Sequence, residues 1–181
     1  MHQILVQLHE DHRNIRRLLE LILISPEAAA DRRYMQQGAD VMRYMTGYPD
    51  QFHHPREDLM FDRLLERDAA SCDVIGRLRE EHILLGQEGL ALREVFDEHL
   101  AADRMPDDEL HGLARGYVQL QTGHMVREEH AVFANARLVL TAEDWAAIDT
   151  LLATRPDPVF GLQVQHGFRG LREFLMKSGS G

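Results

Sequence analysis

Two short stretches of this chain carry side chains that could do metal chemistry. His53 and Glu57 stand four residues apart, as do His124 and Glu128. Both pairs sit in the pattern His-x-x-Arg-Glu-acid, at His53-His54-Pro55-Arg56-Glu57-Asp58 and at His124-Met125-Val126-Arg127-Glu128-Glu129. On a helix, residues i and i+4 share a face, about 5–6 Å apart at Cβ, so an imidazole and a carboxylate at that spacing can grasp one ion. A further histidine precedes each pair. His12, in Glu10-Asp11-His12, stands 41 residues before His53, and His82, in Glu80-Glu81-His82, stands 42 before His124. Acid-acid-His followed by His-x-x-x-Glu thus occurs twice with a period of about 70 residues. Internal repetition of this kind reports architecture, here two helical hairpins packed face to face.

The two leading histidines lie in apolar rows. Leu5, Leu8, His12, Ile15, Leu19 and Ile22 recur at spacings of three and four, and so do Ile75, Leu78, His82 and Leu85. Such rows form the core-facing stripe of a helix. His12, His53, Glu57, His82, His124 and Glu128 are therefore expected to converge inside the protein. An ionised carboxylate buried without a partner costs several kcal/mol or more, and a bound cation pair compensates it. Cys72 is the only cysteine, which excludes an intrachain disulfide and a multi-thiolate site. Imidazole and carboxylate donors suit iron, manganese or zinc. Six ligands exceed the four of a tetrahedral zinc, so the reading is two metals bridged by the carboxylates. One His/Glu pair alone would be read as a solvated helix pair. It is the duplication in matching register that favours metal.

The elements that must position these groups are helices. The spacing predicts a first helix over residues 2–24, stopped at Ser25-Pro26-Glu27 because proline lacks the donor and disfavours helix in the residue before it. Tyr34, Val41, Met42 and Met45 mark a second. Gly47-Tyr48-Pro49 and Pro55 interrupt it beside the motif, leaving open a kink or a restart with Asp50 as N-cap, and from Glu57 the pattern Leu59, Phe61, Leu64, Leu65 is helical to Arg67. A third helix is predicted over residues 72–100, and a turn at Asp103-Arg104-Met105-Pro106. The fourth helix carries Leu110, Leu113, Tyr117, Leu120, His124, Glu128, Val132 and Phe133 and fades near Leu140. In an up-down-up-down bundle with all ligands at one level, turns fall midway between successive ligands. The second and third predicted turns do so, near residues 69–70 and 104; the first midpoint, near 32–33, lies past the break at Pro26. Thr141-Ala142-Glu143-Asp144 opens a short helix with Trp145, Ile148, Leu151 and Leu152, ended by Arg155-Pro156-Asp157-Pro158. A last amphipathic segment holds Leu162, Phe168, Leu171, Phe174 and Leu175. The expectation is an all-α fold: a four-helix bundle over 1–140, a C-terminal helical extension over 141–176 packing on it, and a flexible tail over 177–181.

Composition narrows the function classes. With 30 acidic residues against 20 Lys plus Arg, the chain lacks the basic stripe of a nucleic-acid surface. No apolar run approaches the roughly 18–20 residues that span a bilayer, and the first residues show no basic leader with a long apolar stretch. A cytoplasmic location is the expectation.

The order of the paired residues discriminates between di-metal bundles. Ferritin-like bundles use Glu-x-x-His, and no histidine here has a glutamate three residues before it. From about Leu5 to Phe133 the chain instead resembles the bacterial hemerythrin-like, HHE cation-binding, family. The matching motifs are Glu-Asp-His12-x-x-Ile-Arg, Tyr48-Pro-x-x-x-His53-His54-Pro-x-Glu57-Asp, Glu-Glu-His82 and His124-Met-x-x-Glu128-Glu. The resemblance implies a hemerythrin-like bundle with a non-haem di-iron centre, two Fe ions bridged by Glu57, Glu128 and an oxo or hydroxo group, other divalent metals being alternatives. It also exposes a departure. Oxygen-carrying members place a second histidine four residues after the one on the third helix, and here that residue is Gly86. The chain thus resembles members tied to nitric-oxide or redox response and iron–sulfur repair. His54 and Tyr48 are read as groups that orient ligands, so that His54→Ala would leave metal content intact. Three functions follow in order of expectation. The first is binding of oxygen or nitric oxide in sensing, carriage or detoxification. The second is di-iron oxidoreductase or iron-donor chemistry, and the third a metal-stabilised regulatory bundle whose C-terminal helices contact a protein partner or a second copy.

Overall fold

The fold is taken from a computed structural model in which residues 2–23, 32–151 and 156–178 are described. These residues form helices and turns throughout. Helix α1 (Gln3–Glu20) is capped by His2, whose Nδ1 accepts the Ile4 N–H. The apolar row expected along α1 is buried from Leu5 to Ile22, but the helix ends four residues earlier than the spacing predicts. The predicted break at Ser25-Pro26-Glu27 lies outside the described residues, as do Leu152, Arg155 and residues 179–181.

Helix α2 (Arg32–Met45) leads through a turn into a π-helical turn, Pro49–His53, and then directly into α3 (His54–Arg67). The chain therefore kinks and does not restart. The Gln51 N–H donates to the Gly47 carbonyl at 3.1 Å, and the His54 N–H reaches back five residues to the Pro49 carbonyl. Pro49 and Pro55 each lack an N–H, so the carbonyls four residues before them lose their usual donors. A widened turn relieves the ring clash while keeping the chain helical.

Asp68 accepts the Ala70 N–H and the Ser71 hydroxyl, turning the chain into α4 (Cys72–Ala101). Asp103 adopts a positive φ of 51° in the next turn, a conformation that aspartate tolerates better than most residues. Asp107 then caps α5 (Asp108–Arg127) by accepting the Leu110 N–H at 2.9 Å. A second π-helical turn, Glu128–Phe133, continues α5 into α6 (Ala134–Val139). Helices α7 (Ala142–Leu151) and α8 (Arg169–Ser178) complete the described chain. Leu113 is largely exposed, with Ala114 taking the core position beside it, and Met60 and Phe61 turn inward where Leu59 and Leu65 are only partly buried.

The apolar interior is divided into two clusters, and the order in which each helix visits them gives the topology. Helix α1 passes from the cluster of Leu5 and Leu8 to that of Ile15 and Leu19. The α2–α3 helix runs the other way, from Tyr48 to Met60. Helix α4 returns, from Leu78 to Leu85, and α5 with its π turn descends again, from Met125 to Val132. This is an up-down-up-down bundle. Trp145 and Ile148 of α7 join the first cluster, while Phe168, Leu171 and Leu175 join the second. His12, His53, Glu57, His82, His124 and Glu128 all occur between the two, as one polar layer.

Candidate metal centre

Each helix delivers its polar group where it crosses from one apolar cluster to the other, and the four imidazoles turn their Nε2 atoms toward two carboxylates. His12 Nε2 lies 3.3 Å from Glu57 Oε1 and 3.3 Å from Glu128 Oε2. His53 Nε2 lies 3.2 Å from the same Glu57 Oε1. On the other side, His82 Nε2 stands 3.5 Å from Glu57 Oε2 and 3.4 Å from Glu128 Oε1, and His124 Nε2 stands 3.2 Å from that Oε1. The six residues expected from the sequence are thus brought together in two halves. One half has His12 and His53, the other His82 and His124, and each carboxylate turns one oxygen to each half. Among the described residues, His12, His53 and Glu57 form one group able to hold a metal ion, and His54, Glu57, His82 and His124 another.

The remaining positions of the repeated motif hold the opposite edges of the imidazoles. The acid preceding each leading histidine reaches across to the histidine of the following pair: Asp11 to His53 Nδ1 at 3.2 Å, and Glu81 to His124 Nδ1 at 3.0 Å. The acid following each buried glutamate reaches the leading histidine of the other repeat: Glu129 to His12 Nδ1 at 2.8 Å, and Asp58 to His82 Nδ1 at 3.6 Å, just beyond hydrogen-bond reach. The arginines complete the symmetry, Arg127 donating to Glu81 at 2.6 Å and Arg56 facing Asp11 at 3.5 Å. Fixing Nδ1 on a carboxylate sets the ring's orientation and leaves Nε2 as the free donor, the usual support of a metal-binding histidine. Spacing within a single helix assigns no role to these acids and arginines. Their recurrence at matching positions in both copies was the available signal.

Burial and charge are strongly opposed here. Glu57 and Glu128 are fully buried. Burial pushes Glu57 up, yet His53, His12 and His82 hold it well below the usual carboxylate range. Burial and Glu57 push Glu128 up, but His12 and His124 more than offset them. Burial likewise lowers the imidazoles, while the surrounding acids raise His53 to about 9 and His82 to about 11, and lift His12 well above its ordinary value. Acids and imidazoles of the layer thus stabilise one another's charged forms against the cost of burial. His12 Nε2, His124 Nε2, both Glu57 oxygens and Glu128 Oε2 are buried without a hydrogen-bond partner, a condition rare in native proteins. Donors lying about 2.0–2.2 Å from one ion stand roughly 3–3.5 Å apart, which matches the Nε2-to-oxygen separations above. The donor set fits a pair of nitrogen- and oxygen-ligated metal ions.

Two neighbours behave differently from each other. Tyr48 is buried against Tyr44 and Phe52 and is in neither candidate metal group. His54, expected from the sequence to orient ligands, is buried and stacks on His82 with ring centroids 4.2 Å apart. Asp11, Tyr48 and Arg56 also line an open cleft of about 690 Å³ with Asp157 and Phe160 of the C-terminal segment. No helix among the described residues is long and apolar enough to cross a membrane.

Comparison with known proteins agrees with this geometry. The family described as the hemerythrin HHE cation binding domain matches residues 3–136, which includes all six converging residues. No curated protein and no solved structure matches the chain.

Proposed function

The chain belongs to the hemerythrin HHE cation-binding domain family, and on that premise we propose that its polar layer holds two iron ions which bind oxygen or nitric oxide in sensing, carriage or detoxification. His12 and His53 hold one ion, His82 and His124 the other, and Glu57 and Glu128 serve both. The observation that carries this reading is the division of four Nε2 atoms into two pairs, each facing one oxygen of both carboxylates. A bound iron pair supplies redox chemistry and affinity for diatomic ligands. The chain's own residues exclude water, neutralise the charge and fix the imidazoles through Asp11, Asp58, Glu81 and Glu129. Size supports a diatomic ligand: five of the six side chains are at most 1% exposed and His82 only 9%, so a bulky substrate has no surface to dock on.

The test is metal analysis joined to optical spectra of anaerobic protein before and after oxygen, and separately nitric oxide, is added. About two irons per chain and an absorption change with at least one gas are expected. Two irons and spectra indifferent to both gases would sink the proposal. Gly86 favours a second reading, turnover or iron delivery, because the histidine that oxygen carriers place there is missing. Multiple turnover of peroxide or nitric oxide, or iron transfer to an apo iron–sulfur protein, is its signature; stoichiometric binding alone counts against it.

A further inference from the structure

The geometry points to His54 as a fifth imidazole ligand of the cluster, on the His82–His124 side, supplied from α3 in place of the side chain that Gly86 lacks. This rests on the metal-pair reading above. Like the other four histidines, His54 turns one ring nitrogen toward an outer carboxylate. Its Nδ1 faces a carboxylate, Asp50, at 3.4 Å, and its Nε2 is buried with no hydrogen-bond partner. One of its ring nitrogens lies within 4.8 Å of ligand atoms of Glu57, His82 and His124. With Nδ1 turned to Asp50, Nε2 is the nitrogen left for a metal. Buried imidazole nitrogens without partners are uncommon, and outer carboxylates on Nδ1 typically accompany metal-binding histidines.

Asp50 also ties His54 to Gly86. A Cβ at Gly86 would meet a single atom within 4 Å, Asp50 Oδ2 at 3.7 Å. The space beside Gly86 therefore borders the carboxylate that orients His54. The two positions offer alternative routes to one imidazole, one from α4 and one from the kinked helix. The π turn delivers the second route, since its His54 N–H to Pro49 carbonyl bond swings His54 inward next to His53, where adjacent residues of a regular helix would diverge by about 100°.

The experiment strips the full chain of metal, reloads it anaerobically with Co²⁺, and measures affinity by chelator competition and imidazoles per metal by X-ray absorption. The wild type is expected to bind two ions sharing five imidazoles. His54→Ala should keep one ion at wild-type affinity and bind the other more than about 100-fold weaker, beyond the roughly 10–100-fold that losing an outer partner costs. Free imidazole, and independently Gly86→His in the same chain, should restore the second ion. The inference is overturned if His54→Ala binds both ions as tightly with an unchanged imidazole count. It is equally overturned if the loss is real but neither rescue works, which marks a positioning role through the His82 stack. A wild-type chain that takes up no ion pair would defeat the metal-pair reading itself, and this inference with it, before any variant is made.

Discussion

Glu57 and Glu128 differ from the four imidazoles in facing both halves of the layer, so on the proposed metal-pair reading their loss cannot be confined to one ion. Glu57→Ala or Glu128→Ala should cost essentially the whole metal pair, read as metal content falling from about two per chain toward zero, whereas a single histidine variant should spare one ion. The outer acids act on one half only. Glu81→Gln removes the negative charge that holds His124 Nδ1 and Arg127. It should weaken the ion on that side by roughly 10–100-fold and leave the His12–His53 side unchanged, as chelator competition can resolve. Equal weakening of both ions would show that the halves are not independent. The convergence of the inward histidines and glutamates is legible in the sequence because each lies in an apolar row or repeats at i, i+4. Asp11, Glu81, Asp58 and Glu129 were equally visible as repeated letters. Their targets were not, since each reaches another helix, and a cross-helix partner depends on bundle register that no single-helix spacing contains.

The two π turns are the elements on which this register depends. One ends at His53 and the other begins at Glu128, so each His/Glu pair adjoins a widened turn. The prolines at 49 and 55 announced a disturbance in the first, but proline chemistry alone leaves kink and restart equally open; packing of both flanking helices against α4 and the rest of the core selects the kink. The second π turn contains no proline, and nothing in its sequence separates it from ordinary helix. Close approach between helices was also invisible to pattern reading. Gly38 of α2 lies so near α4 that a Cβ there would overlap the Phe96 ring, which is itself fully buried. Gly38→Ala should therefore destabilise the fold by about 1–3 kcal/mol through overpacking, despite alanine's better helix propensity. Denaturant midpoints would test this, and an unchanged or raised midpoint would mean that Phe96 moves aside freely.

Across the whole molecule, a charged layer separates two apolar clusters, and stability should depend on what neutralises that layer. With metal removed, protons are the available cations. His53 at about 9 and His82 at about 11 lie above the ordinary 6.5 of a histidine in the unfolded chain. The stability these groups contribute is complete below about pH 6.5 and is lost as pH rises through 9 and 11. Glu129, held down to about 2 chiefly by its hydrogen bond from His12, against burial and with help from Arg16, contributes fully above about pH 4.5. That contribution fades as pH falls toward 2. In the metal-stripped protein these contributions are jointly complete between about pH 4.5 and 6.5. Metal reverses the alkaline slope, because ligation needs unprotonated imidazoles and binding becomes tighter as proton competition falls. Free metal at 100 times its Kd adds about 2.7 kcal/mol to the folded state. Between about pH 6.5 and 9 the melting temperature of stripped protein should therefore fall while that of loaded protein holds or rises. Parallel curves for the two forms would show that the layer is not where the ions bind.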